Sequence, residues 1–257
     1  MESPYPPPPP LPPPPGVLPP PRAGVPRSPG FWWRVLSPPG AVLLAFVVLF
    51  VVAGVGFAAF GDEHEDAIGT VAVVVGGAAI LGFGLALLMR LPEHERRIAL
   101  ARKHSLRGAL LHGLNLGIGM VITAGVIIVL GMQIDPGLEG RLDDTQQTLG
   151  PGAWGAVLTV FALVVLAPLG EELVFRVLLL RALVRRMGFW PAAVVSGLIF
   201  GSVHLDAWID LFWPRWIALV VVGIGLAWLY RWRGYWASVA AHATVNIVAS
   251  IALVAQG

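Results

Sequence analysis

Long apolar runs constrain this sequence more than any other feature. Several runs of roughly 17–25 residues carry almost no charge, and each is long enough to cross a hydrocarbon core of ~30 Å as a helix. Backbone polar groups in lipid must be satisfied within the segment, which a helix achieves. The sequence therefore predicts an all-α, polytopic transmembrane helical bundle with about seven membrane segments. The predicted segments cover roughly residues 41–60, 67–89, 108–132, 154–184, 190–204, 216–230 and 235–255.

The basic residues follow this topology. With a cytoplasmic amino terminus, 14 of the 17 Lys and Arg fall on the inner side; Arg141 and Arg215 fall outside, and Arg176 lies within the membrane. The bias of the composition towards Ala, Val, Gly and Arg indicates a bacterial plasma membrane. Because the basic residues are explained by topology, no nucleic-acid partner is expected. Cysteine is absent, which excludes disulfides, thiolate chemistry and cysteine metal ligands.

Three regions follow along the chain. Residues 1–30 contain 15 prolines, and such a tract favours extended conformations over helix or sheet. Residues 1–35 are therefore predicted to form a proline-rich disordered cytoplasmic tail, and docking of residues 1–30 to a proline-recognising partner is the alternative. Residues 36–150 are expected to form the N-terminal transmembrane helices. Residues 151–257 are expected to form the helical core that carries the chemistry.

Two glutamates and an arginine lie deep within the segment 154–184. Glu171, Glu172 and Arg176 lie at membrane depth, where charge is costly and marks a candidate functional site. Glu172 and Arg176 are four residues apart and share a helix face, so an ion pair is predicted. Glu171 points about 140° away from Arg176, which leaves its carboxylate to face another partner, as a general base requires. The alternative is a purely structural ion-pair cluster.

Pro168 lies just ahead of the two glutamates. From residue 154 to residue 185 a straight helix would be about 48 Å long, which exceeds one span. Because proline removes a backbone donor, we expect a kink here. The helix either tilts and overshoots the membrane or breaks near residues 168–170.

Two later segments also carry polar side chains. The fifth contains Phe200 and His204, and the seventh contains His242 and Asn246, which are four apart and share a face. A lone histidine in an apolar helix more often makes an interhelical hydrogen bond than catalyses a reaction. The combination with the glutamates, in this order and in three separate segments, is much more specific.

Together these motifs resemble those of the CPBP family, the CAAX prenyl protease and bacteriocin-processing group, also called the type II CAAX protease or Abi family. The family pattern is Glu-Glu-x-x-x-Arg, then Phe-x-x-x-His, then His-x-x-x-Asn or Asp, each on a transmembrane helix. The resemblance covers about residues 150–250. The chain matches the pattern at Glu171-Glu172-x-x-x-Arg176, Phe200-x-x-x-His204 and His242-x-x-x-Asn246.

The resemblance implies an intramembrane endopeptidase that hydrolyses a peptide bond of a membrane-associated or lipidated protein or peptide. Carried over by position, Glu171 would be the general base and His204 would help to bind and polarise the water. His242 and Asn246 would donate to the oxyanion of the tetrahedral intermediate. The supporting residues would be Glu172, Arg176 and Phe200.

The sequence leaves two questions open: whether the site uses a metal, and whether the polar cluster serves a peptidase or another class of membrane protein. The family is often called a metalloprotease, and Glu171, His204 and His242 could supply a zinc site. The resemblance favours a metal-free scheme, in which the water is held by Glu and His. The same polar cluster could instead serve a proton-coupled transporter, or it could be structural in a non-catalytic membrane scaffold or immunity protein.

Overall fold

The computed structural model describes residues 30–101, 104–141, 151–204 and 212–254. The tail up to residue 29, and with it almost all of the segment predicted to bind a proline-recognising partner, lies outside these ranges. The described residues form eight α-helices and two short 3₁₀ turns, at Asp62–His64 and Pro136–Arg141. The helices are α1 Phe31–Phe60, α2 Glu65–Met89, α3 Glu93–Ala99, α4 Leu106–Ile134, α5 Gly152–Met187, α6 Phe189–Ser202, α7 Trp213–Arg233 and α8 Tyr235–Val254.

The all-α membrane bundle is confirmed. Within the described residues, five helices are long and apolar enough to cross a membrane: α1, α2 with its preceding turn, α4, α5 and α7. Helix α6 is apolar but has only 14 residues, about 21 Å at 1.5 Å per residue. The count of about seven spans is therefore not confirmed.

Helix α1 begins earlier than the sequence indicated. It starts at Phe31, inside the predicted tail, and continues through Pro38 and Pro39, whereas the sequence placed the first span after Gly40. Proline within a membrane helix is tolerated where neighbouring groups compensate for the lost backbone donor. Pro38 is buried against the rest of the bundle.

Helix α5 does not break at Pro168. It runs for 36 residues from Gly152 to Met187, with π-helical stretches at Ala162–Leu166 and Leu173–Leu180. The first stretch ends just before the proline, where the N–H of Ala167 bonds to the carbonyl of Ala162 five residues back. The helix thus accommodates Pro168 by widening locally into a π-helical stretch, a feature common at functional sites.

Glycines allow the helices that carry the polar residues to pack closely. A Cβ at Gly113 of α4 would lie 2.5 Å from the carbonyl oxygen of Ala237 in α8. A Cβ at Gly117 would lie 2.7 Å from the carbonyl oxygen of Ala241. On α5, a Cβ at Gly170 would lie 2.8 Å from a backbone nitrogen of α2. Small residues at such contacts drive helix association in membranes, and here they bring α4 close to α8 and α5 close to α2.

Candidate active site

Glu172 is the centre of a buried polar cluster between α5 and α8. Its side chain is fully buried, and its carboxylate lies 3.2 Å from Nε of Arg176. The ion pair predicted from their spacing is therefore confirmed. The carboxylate also accepts a hydrogen bond from the Ser238 hydroxyl. Nδ1 of His242 lies 3.1 Å from the other carboxylate oxygen, so α8 is joined to the glutamate by two side chains.

Arg176 is also fully buried, and aromatic rings surround its charge. The guanidinium carbon lies 4.8 Å from the centroid of the Phe200 ring and 5.7 Å from that of Phe175. Its three nitrogens make no hydrogen bond to any described residue. The cation is thus balanced by Glu172 and by cation–π contact, so it anchors the glutamate and the α6 phenylalanine together.

Glu171 has the separate position that helical spacing predicted. Its side chain is 17% exposed, and its Oε2 lies 3.9 Å from Nε2 of His242. This oxygen is buried and accepts no hydrogen bond within the described part of the chain. His242 therefore stands between two carboxylates, with one ring nitrogen held by Glu172 and the other facing Glu171. Glu171 therefore retains a carboxylate oxygen that can accept a proton or a hydrogen bond from a water.

His204 lies just beyond the end of α6 and joins this cluster through Phe200. Its Nδ1 lies 2.8 Å from the carbonyl oxygen of Phe200. Because a carbonyl only accepts, Nδ1 carries the proton, and Nε2 of the neutral ring is left as an acceptor. The Phe200 ring centroid lies 4.9 Å from that of His204 and 5.6 Å from that of His242. Phe200 thus packs between the two histidines.

Asn246 has a structural contact that the sequence did not predict. Its Nδ2 donates to the carbonyl oxygen of Leu163 at 2.7 Å. In the π register set by Ala167, the next backbone donor would be residue 168, and Pro168 has no N–H. Asn246 therefore supplies the hydrogen bond that the proline cannot. The amide keeps a second N–H, which remains available to a ligand.

Ser238 and Tyr235 are site residues that sequence reasoning missed. Ser238 bonds Glu172, and the Tyr235 hydroxyl donates to the carbonyl oxygen of Leu169 at 2.8 Å. The signal was in the spacing, since Ser238, His242 and Asn246 recur every four residues on one face of α8. That entire face is directed at α5 between residues 163 and 172.

Comparison with known proteins matches the same part of the chain. Residues 153–248 match the family described as Type II CAAX prenyl endopeptidase Rce1-like. This match supports the resemblance of the region to the CPBP family. Over 151 residues the chain is also 25% identical to YdiL of Bacillus subtilis (strain 168), which is named as a proposed membrane peptidase. That alignment covers 56% of this chain and 59% of the relative's length. No solved structure matched the chain.

The CPBP match contains every residue of the three motifs. It begins at the start of α5 and ends within α8, so it includes the π-helical stretches and the polar face of α8. Helices α1 and α2 lie outside the matched region and also pack against α5. The matched region is therefore one part of a larger helical bundle.

The zinc site predicted from the sequence would use Glu171, His204 and His242. Among the residues that the structure describes, no group of three or more His, Asp or Glu side chains is arranged to hold a metal ion. Nδ1 of His242 is held by Glu172, and His204 meets the cluster through the Phe200 ring. Zinc binding by Glu171, His204 and His242 stays a prediction for metal analysis to test.

Proposed function

We propose that this chain is an intramembrane endopeptidase in which Glu171 activates the hydrolytic water. The observation that carries the proposal is the unpartnered, buried Oε2 of Glu171, which faces Nε2 of a histidine whose other nitrogen is fixed by Glu172. A purely structural ion-pair cluster would be expected to satisfy that oxygen. Its unsatisfied state indicates a place where a ligand completes the hydrogen bonding.

The proposed reaction begins with a water held between Glu171 and Nε2 of His204. Glu171 removes a proton as the water oxygen attacks the carbonyl carbon of the scissile bond, and the carbonyl oxygen becomes an oxyanion. The protonated Glu171 then transfers that proton to the leaving nitrogen as the C–N bond breaks. A positioned general base of this kind typically contributes ~10²–10⁴-fold to the rate.

Two donors on α8, His242 and Asn246, are proposed to stabilise the oxyanion. Nδ1 of His242 carries a proton towards the Glu172 carboxylate, so Nε2 donates only when the ring is the imidazolium cation. With that cation present, His242 and Arg176 balance Glu171 and Glu172, and the buried cluster has no net formal charge. The second N–H of Asn246 is the other donor. One such donor is typically worth ~10²–10³-fold in kcat.

The proposed substrate is a membrane-associated or lipidated protein or peptide. The site lies on helices of a membrane bundle, so the scissile bond must reach α5, α6 and α8 from the bilayer or its surface. The peptidase core of the CPBP family supports the reaction class. We also propose a multi-pass location in the plasma membrane of a bacterium, with the amino terminus in the cytoplasm, because the basic residues gather on one side.

The test compares membrane peptides from bacterial cells that express the wild-type chain or Glu171→Gln. Arg97→Gln serves as a control, because Arg97 forms an exposed ion pair with Glu93 away from the cluster. We expect cleavage products that are present with the wild type and the control and absent with Glu171→Gln. His204→Ala should lose the same products. Identical peptide profiles for all four proteins, each shown to be folded and in the membrane, would remove the proposal.

A further inference from the structure

A cavity lies at one end of the bundle, away from the Glu171–Glu172 cluster. It has a volume of about 240 Å³ and is enclosed by the start of α1, the end of α2, the start of α3 and the end of α5. On α5 its lining begins at Val177 and ends at Arg185, so it includes neither Glu171 nor Glu172. Exposed Trp33 also lines it, and tryptophan is enriched at the membrane–water interface.

The lining of this cavity is strongly basic. Among its described residues are one glutamate, Glu95, and four arginines, which gives a formal charge of +3. The arginines are Arg34, Arg90, Arg181 and Arg185. A charge excess of this size in a partly enclosed space attracts an anion, because nearby low-dielectric walls strengthen the field.

Two of the arginines are already engaged. Arg34 and Arg185 lie 2.9 Å and 2.8 Å from the same oxygen of Glu95. Burial by itself raises the pKa of Glu95, but the hydrogen bonds and charges of these two arginines outweigh it and hold the pKa below its ordinary value. Glu95 is therefore ionised at neutral pH and compensates only part of the charge.

The other two arginines bring their charge to the cavity without a carboxylate partner among the described residues. The guanidinium of Arg90 lies 5.8 Å from the ring centroid of Trp33. Arg181 contacts the hydroxyl of Tyr230, and that hydroxyl donates to the carbonyl oxygen of Ala99. Neutral groups thus hold both arginines in place. Because no carboxylate among the described residues pairs with them, their positive charges can attract an anionic ligand.

We propose that this cavity binds a phosphate group, either the phosphodiester of an anionic lipid headgroup or free phosphate. Guanidinium groups match phosphate oxygens with paired hydrogen bonds. The volume is smaller than the ~300–1,000 Å³ of pockets for drug-sized ligands, which suits a single polar headgroup and not a peptide. The proposal does not depend on the peptidase mechanism.

The test uses the purified full chain in lipid nanodiscs and measures its melting temperature. One series replaces phosphatidylcholine stepwise by phosphatidylglycerol, and another adds inorganic phosphate to discs of phosphatidylcholine alone at matched ionic strength. A ligand that binds the folded state raises the melting temperature with its concentration. Arg90→Gln and Arg181→Gln should each require at least about tenfold more ligand, the effect of one lost charge-assisted hydrogen bond.

Two further variants separate binding from a general effect of charge. Glu95→Gln removes the carboxylate of the cavity and should tighten binding, measured from its own baseline. Arg97→Gln removes an exposed arginine of the same helix and should match the wild type. This pair keeps the test valid if Arg90→Gln or Arg181→Gln does not fold.

The outcomes are distinct. If the melting temperature rises with phosphatidylglycerol but not with inorganic phosphate, the ligand is a lipid headgroup. If it rises with inorganic phosphate alone, the ligand is the free anion. No rise in either series overturns the proposal. An equal rise of the melting temperature in Arg90→Gln, Arg181→Gln and Arg97→Gln would also overturn it. Weaker ligand binding by Glu95→Gln than by the wild type would do the same.

Discussion

Replacing Glu172 by Gln should destabilise the protein much more than the same change at Glu171. Glu172 is fully buried and contacts Arg176, Ser238 and His242. The substitution keeps the shape of the side chain but leaves Arg176 as a buried cation whose three nitrogens already lack hydrogen-bond partners among the described residues. Glu171 is partly exposed, and its nearest ionisable partner in the structure, His242, lies 3.9 Å away, so removal of its charge should cost less than removal of the Glu172 charge.

The magnitude follows from this burial. Removing one partner of a buried ion pair typically costs about 3–5 kcal/mol. For a chain of this size, 1 kcal/mol shifts the melting temperature by about 2–4 °C, so Glu172→Gln should lower it by about 6–20 °C. Glu171→Gln should stay within about 1 kcal/mol of the wild type. Thermal unfolding of the purified proteins in one detergent, followed by intrinsic tryptophan fluorescence, measures both values.

A double variant isolates the ion pair from other effects. Because Arg176→Met removes the unpaired cation, Glu172→Gln combined with Arg176→Met should be less destabilised than the sum of the two single variants. The cluster assignment would be refuted by equal melting temperatures for Glu171→Gln and Glu172→Gln. Strict additivity in the double variant would also refute it.

Three further predictions concern other contacts. Gly117→Val should cost about 1–3 kcal/mol of stability by overpacking, because its Cβ would lie 2.7 Å from the carbonyl oxygen of Ala241; thermal unfolding measures this. Asn246→Ala should leave the Leu163 carbonyl unsatisfied, which costs about 1–3 kcal/mol, and should also lower kcat, as stability and cleavage assays on one preparation would show. The folded-state pKa of Glu95 lies below 4.5, so its contribution to stability is present above pH 4.5 and is lost as the pH falls through that lower pKa. The acid limb of a stability–pH profile should therefore flatten in Glu95→Gln.

The parts of the site that sequence predicted depend on local spacing. The Glu172–Arg176 pair follows from an i, i+4 interval, and the separate position of Glu171 follows from its angle on the helix. The Glu172–Arg176 pair forms at 3.2 Å even though Arg176 lies in the π-helical stretch Leu173–Leu180. The apolar runs likewise predicted an all-α membrane bundle.

The parts that sequence did not predict depend on contacts between helices. Pro168 was expected to kink or break α5, but the π turn before it and the donor from Asn246 compensate for the missing N–H. That same contact gives Asn246 a structural role beside its proposed catalytic one. Ser238 was missed because a serine in an apolar helix has many uses, and only the position of Glu172 on α5 gives it this one.

The most direct test of the central claim is the rate at which the purified protein cleaves one of the peptides identified in cells. Wild type and Glu171→Gln should be compared in proteoliposomes, with the folded fraction of each matched by its melting curve. The proposed role of Glu171 predicts a fall in kcat of ~10²–10⁴-fold without loss of stability. Turnover by Glu171→Gln at the wild-type rate would contradict it.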